Sequence, residues 1–140
     1  MIQTPPGFPS ARHLRLGVND VIDAEAGDNP PDRAHIEALL TFTRAWPAED
    51  PILVHCWAGI SRSMAATFII LCDRRGPGSE LAAARAIRDR AAHASPNALL
   101  VSHADAMLGR QGRMIAAIKS IGAGTMVNEG EVVEFPLVEL

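Results

Sequence analysis

The sequence predicts an α/β domain, a small parallel sheet flanked by helices, and three observations carry that reading. Extended and helical hydrophobic periods alternate along the chain. The run at 51–56, Pro-Ile-Leu-Val-His-Cys, is apolar, β-branched and too short for a helix, the pattern of a strand covered on both faces. The segment after it, from Arg62 to about Asp73, is apolar on every side, as a helix through the middle of a layered domain must be. With 140 residues, 48% hydrophobic and 21% charged, the chain fits one domain with one core and excludes a second.

Each element follows from local chemistry. Residues 1–12 contain Pro5, Pro6 and Pro9, which lack backbone donors, and read as an extended N-terminal segment. Residues 13–18 alternate apolar with polar side chains, a strand that ends at Asn19 and Asp20. The acidic, Gly- and Pro-broken run up to Pro31 is a surface loop. Pro31 or Asp32 opens a helix whose stripe is Ile36, Leu39, Leu40 and Thr43, closed by Trp46 and Pro47. Residues 57–61 form a turn, and Arg74, Arg75, Gly76, Pro77 and Gly78 stop the helix that follows it. Ser79 caps an Ala-rich helix reaching about His93, and residues 95–97 separate it from another that begins near Ala98. Gly109 and Gly112 weaken that last helix, but Met114, Ile115, Ile118 and Ile121 keep the helical spacing to Gly122. The domain thus spans residues 13–124, with residues 125–140 as a C-terminal tail. Two strands make a poor sheet, so the tail is expected to add an edge strand, or an N-terminal strand is missing from this chain.

Composition narrows the partners. No apolar run approaches the ~18 residues of a membrane-spanning helix, and the N-terminus lacks the pattern of a secretory signal, so a soluble cytoplasmic protein is expected. A net charge of -3 gives no global field for nucleic acid or anionic lipid, so any anion site must be local. Two cysteines are too few for a disulfide-stapled scaffold. His13, His35, His93 and His103 have no ligand spacing among themselves or with the cysteines, which predicts no metal. Cys72, sixteen residues beyond Cys56, lies too far along the same helix to meet it and reads as core.

The chemistry concentrates in His55-Cys-Trp-Ala-Gly-Ile-Ser-Arg-Ser63. A strand delivers Cys56 onto a tight turn that opens a helix, so the backbone amides of Trp57, Ala58, Gly59, Ile60, Ser61 and Arg62 can converge on one centre at the positive helix end. Gly59 permits a backbone conformation closed to other residues. Arg62 can fold its planar fork over the same centre and hold two oxygens of a tetrahedral oxyanion. A cysteine in that field is expected to have its pKa lowered from ~8.5 into about 3.5–7.5 and to be a thiolate at neutral pH. Ser63 can donate a hydrogen bond to the sulfur, and His55 can orient the loop. Trp57 is expected to rim the pocket or pack on the surface.

This stretch resembles the signature of the cysteine-based protein tyrosine phosphatases, His-Cys-x-x-Gly-x-x-Arg-Ser/Thr, and its flanks are most similar to the dual-specificity branch, in a bacterial-type setting. The resemblance covers roughly residues 13–110. It implies a phosphatase-like α/β fold, here lacking the usual N-terminal strand and helix, and hydrolysis of phosphotyrosine, with phosphoserine or phosphothreonine as further substrates, through a phosphocysteine intermediate and without cofactor. It also implies an Asp general acid some thirty residues before the nucleophile. Asp20, Asp23 and Asp28 lie 36, 33 and 28 residues before Cys56. Asp20, directly after the 13–18 strand, is preferred and Asp23 is the alternative, while a solvated acidic loop accounts equally for Asp23 and Asp28. Ser95-Pro-Asn97 is similar to the Pro-Asn element of the same branch, which gives Asn97 a supporting role at the site beside its role as a helix cap. The absence of lysines between Cys56 and Arg62 favours a monophosphate on a protein or a small aryl phosphate over inositol polyphosphates or RNA ends. Competing readings are a catalytically weak or inactive phosphate-binding module, and another Cys-loop enzyme such as a rhodanese or an arsenate reductase. The sequence leaves the oligomeric state open.

Overall fold

A computed structural model describes residues 2–25 and 27–138 of the chain. Among the described residues a 3-10 turn at Ser10–Arg12 is followed by five α-helices in order: α1 (Arg33–Ala45), α2 (Arg62–Arg75), α3 (Glu80–Arg90), α4 (Ala98–Leu108) and α5 (Arg113–Ile121). α2 is the hub, packed against α1, α3 and α4, while α5 lies on α3 and α4. Its buried residues run almost without a break from Ser63 to Cys72, and Phe68 and Ile69 are fully enclosed with Ile36 of α1, Ile87 of α3, Val101 of α4 and Met114 of α5. None of these helices is long and apolar enough to cross a membrane.

The start signals expected from the sequence act through visible hydrogen bonds. At α1, the Asp32 carboxylate accepts from the Ala34 amide at 2.7 Å and the Asp32 amide donates back to His35 Nδ1 at 3.0 Å, a capping box with histidine in the usual Glu position. At α4, Asn97 Oδ1 accepts from the Leu100 amide at 2.9 Å. Ser79 differs from expectation, since its hydroxyl donates to the Gly76 carbonyl at 2.6 Å instead of capping α3. α3 also stops at Arg90, short of His93, and the single helix expected from Ala98 to Ile121 is two. Gly109 takes a left-handed conformation with φ 66° and ends α4. Buried Asp105 then accepts from the Gly112 and Met114 amides, both at 2.8 Å, and so starts α5 from the last turn of α4.

The predicted parallel sheet is not formed: among the described residues there is no strand, and the domain is all-helical. Residues 13–18 and 51–56 are extended, but no backbone hydrogen bond joins either to the other or to any distant segment. Their periodicity is real and their pairing is absent. Side chains take the acceptors that a neighbouring strand would use: Asn29 Nδ2 and His35 Nε2 reach the Gly17 carbonyl, and Arg62 Nη1 reaches that of Val18 at 2.9 Å. Nor is 51–56 covered on both faces. Ile52, Val54 and Cys56 turn inward while Leu53 is 79% exposed, with His55 outside as well. The tail likewise adds no edge strand; residues 125–138 lie as an irregular strap across α2, α3 and the turn after α3.

Because Asp105 satisfies two amides at once from a buried position, Asp105→Ala is expected to lower stability by about 2 kcal/mol. Urea unfolding measures this. A loss below ~0.5 kcal/mol would mean that α5 starts without it.

Candidate active site

Cys56 ends the extended 51–56 segment, half-buried, and the chain then turns through 57–61 into the N-terminus of α2. Gly59 sits in this turn at φ +73°, a conformation that L side chains rarely adopt. The Gly59 amide donates to Cys56 Sγ at 3.3 Å, and Ser63 Oγ lies at 3.3 Å from the same sulfur. Burial pushes the Cys56 thiol pKa up, but hydrogen bonds from the Ser63 side chain and from the backbone at Ser63, Gly59 and Ile60 outweigh it and hold the pKa below the ordinary thiol value. Cys72, enclosed in α2 with no such donors, is pushed up to about 12 by burial. Both cysteines are free.

The loop keeps its shape because its carbonyls are held from outside. The Ser95 amide donates to the Ile60 carbonyl at 2.9 Å, and the Asn97 amide to that of Ser61 at 3.2 Å. No peptide bond here is cis, so a carbonyl fixed outward fixes the amide of the next residue in the opposite direction. Ser61 and Arg62 therefore turn their amides away from the 95–97 segment. Ser61, the N-cap residue of α2, makes no side-chain cap, which leaves the first amides of the helix without a protein acceptor from that residue.

Arg62 shares with Cys56 and Ser63 the lining of a cavity of about 1560 Å³, whose walls include Leu14, Leu16 and Val54. Its Nη1 is anchored on the Val18 carbonyl, while its Nε is buried and has no hydrogen-bond partner among the described residues. A buried guanidinium N–H without an acceptor costs free energy until an anion supplies one.

The structure brings Asp20 to the loop. Its Oδ1 accepts from Ser61 Oγ at 2.7 Å and from Asn97 Nδ2 at 2.8 Å, and its Oδ2 makes no hydrogen bond among the described residues. Asn97 is 2% exposed and divides its amide three ways, bonding Asp20, the Val21 carbonyl at 3.1 Å and the α4 amide of Leu100. Asp23 instead accepts the Glu25 amide at 3.0 Å within its own turn, and Asp28 contributes its main-chain carbonyl to Asn19. His55 is exposed, with Nδ1 3.4 Å from the Cys56 carbonyl, and the Trp57 side chain is 90% exposed at the cavity rim. Ala58 and Ile60 line the loop with partly buried side chains.

Two participants escaped the sequence reading, the hydroxyl of Ser61 as a donor to Asp20 and Gly130, whose amide reaches the Ala58 carbonyl; the supporting role expected of Asn97 extends to the backbone amides of Ser95 and Asn97. No group of three His, Cys, Asp or Glu able to hold a metal occurs among the described residues. Comparison of the chain with protein-family models, with curated proteins and with solved structures gave no match.

Two cysteines with such different surroundings should separate cleanly by reactivity. Iodoacetamide is expected to label Cys56 alone in the folded protein, with a pH midpoint below the ~8.5 of a free thiol. Ser63→Ala should raise that midpoint by about one unit, because the hydroxyl favours the thiolate. The same sign applies to stability: a thiol whose folded pKa lies below its unfolded one stabilises the fold above the unfolded value. That gain disappears as pH falls through the folded value. Unchanged labelling in Ser63→Ala would remove Ser63 from the site.

Proposed function

We propose that this chain is a cysteine-dependent phosphomonoester hydrolase, acting on phosphotyrosine-type esters of a protein or on small aryl phosphates. The observation that carries the reading is the pairing of a sulfur held by hydrogen-bond donors with Arg62, which lines the same cavity and whose buried Nε has no hydrogen-bond partner among the described residues. A site that stabilises negative charge on its nucleophile and holds a guanidinium with a donor still unsatisfied is suited to a tetrahedral dianion. The reading rests on the site and not on the fold, since the sheet implied by the phosphatase resemblance is absent.

In the proposed reaction the Cys56 thiolate attacks phosphorus in line with the ester oxygen. The P–O bond to the leaving group breaks as the S–P bond forms, and protonated Asp20 gives its proton to the departing oxygen. Arg62 and the loop amides hold the three equatorial oxygens as charge spreads over them. Asp20, now a carboxylate, takes a proton from water as that water attacks the phosphocysteine. Inorganic phosphate leaves, and the S–P electron pair returns to sulfur. Ser63, hydrogen-bonded to that sulfur, stabilises the thiolate as a leaving group.

Asp20 suits the acid role because two donors fix one oxygen and leave the other available for the proton. Asn97, tied into α4, transmits the position of a rigid helix to a loop carboxylate that would otherwise move with its chain. The apolar walls of Leu14, Leu16 and Val54 favour an aryl ester, and the chain carries one lysine, Lys119, outside the cavity lining. A cytoplasmic location belongs to this same reading.

Cys56→Ser should reduce hydrolysis of an aryl phosphate at least about a thousandfold while phosphate still binds. Substantial residual turnover would overturn the nucleophile assignment. Asp20→Ala should cost about 10² to 10⁴-fold on an ester with a poor leaving group and far less on a nitrophenyl ester. The same pattern in Asp23→Ala would transfer the acid role to Asp23.

A further inference from the structure

The strap that closes the chain touches the loop at one point. Gly130 donates its amide to the Ala58 carbonyl at 2.6 Å. That carbonyl belongs to the peptide whose other end is the Gly59 amide, the donor to Cys56 Sγ at 3.3 Å. In a trans peptide the C=O and N–H point in opposite directions, so one plane carries both bonds, with Gly130 behind it and sulfur in front. The space behind is full. A Cβ at Gly130 would lie 2.5 Å from the Gly59 carbonyl oxygen and 2.5 Å from His93 Nε2, so a side chain there must displace the loop or the 92–95 turn. The strap is fastened on both sides of this point. The Thr125 amide donates to the Ala92 carbonyl at 2.8 Å, Arg90 holds the Glu134 carbonyl at 3.2 Å, and Arg75 holds those of Pro136 and Leu137.

We propose that Gly130 is a positioning residue for Cys56, acting through the peptide between Ala58 and Gly59, and that the C-terminal strap is thereby part of the active site. Its hydrogen bond sets the orientation of that peptide and polarises it, which strengthens the Gly59 N–H as a donor to sulfur. If the peptide turned over, it would present a carbonyl oxygen to the thiolate in place of an N–H, replacing attraction with repulsion. The proposal deepens the phosphatase reading and rests on it for its consequence for turnover. Its effect on the thiol is independent of any substrate. The other charged or titratable groups around this peptide are His93 against Gly130, Glu129 and Glu131 beside it in sequence, and Arg62 in the cavity.

The test reads Cys56 directly. Iodoacetamide labelling, followed by mass spectrometry of the Cys56 peptide, gives the pH midpoint in the intact protein and in Gly130→Ala. The midpoint is expected to rise by about one unit, roughly tenfold less thiolate at a pH below it. Asp105→Ala, which weakens the fold away from the loop, should leave the midpoint in place and so separates positioning from general destabilisation. An unchanged midpoint in folded Gly130→Ala, or an equal rise in Asp105→Ala, overturns the proposal. The unmodified protein supplies a second measurement that needs no folded variant. In an amide NMR titration, Gly59 and Gly130 should both shift with the midpoint found by labelling, and the shifts at that midpoint should vanish in Cys56→Ser. A Gly130 amide that ignores the Cys56 titration overturns the proposal. If the labelling and NMR results hold and the unmodified protein still fails to hydrolyse an aryl phosphate, the strap's role stands and the phosphatase reading falls.

Discussion

A peptide group cannot turn one end without turning the other, and the 56–62 loop is organised by that constraint. Its amides have work to do on the inside, at the sulfur and at the N-terminus of α2, so its carbonyls must be satisfied on the outside. The 95–97 segment and Gly130 meet that need for Ala58, Ile60 and Ser61. None of these donors reaches the sulfur, yet Gly130 holds the peptide whose Gly59 amide does. The helices follow from the same requirement. α2 is buried along nearly its whole length because it anchors the loop, and α3 and α4 surround it in a way that places the turn between them against the loop's outer side.

The lowered thiol pKa of Cys56 belongs to this arrangement more than to any single charge. Burial alone would raise it, as it does for Cys72, whose surroundings offer no comparable donors. Two cysteines in one helix-and-turn unit thus acquire opposite chemistry from backbone direction. Asp20 shows the same economy of means with side chains. Asn97, needed to start α4, uses its remaining donors to hold Asp20 and Val21, so one residue sets both a helix origin and the place of a carboxylate.

Local chemistry made the helices legible in the sequence. The Asp32 cap, the Asn97 cap, the Ile36 to Thr43 stripe and the apolar 62–73 run all specify structure through neighbours within about one or two helical turns. The turn from Cys56 to Ser63 was legible for the same reason, since Gly59 and the helix that follows are adjacent in sequence. The sheet was misread because alternation at 13–18 and 51–56 reports which side chains face inward and says nothing about whether a partner strand exists. Here the Val18 and Gly17 carbonyls are taken by Arg62, His35 and Asn29, contacts between residues 12 to 44 positions apart, which no local pattern encodes. The split of α4 from α5 was half legible: Gly109 and Gly112 flagged the weak point, and the Asp105 side chain that makes the break favourable acts across it.

Ala58 and Gly130 stand 72 positions apart in the sequence, and their hydrogen bond is among the longest-range contacts the loop makes. Such a contact is entropically costly to close and forms late relative to the helical pairs around α2. On a ribosome the chain emerges N-terminus first, so Cys56 is synthesised some seventy residues ahead of Gly130. Until Gly130 has been made, the Ala58 carbonyl lacks its donor and the peptide that turns the Gly59 amide toward Cys56 has no support behind it.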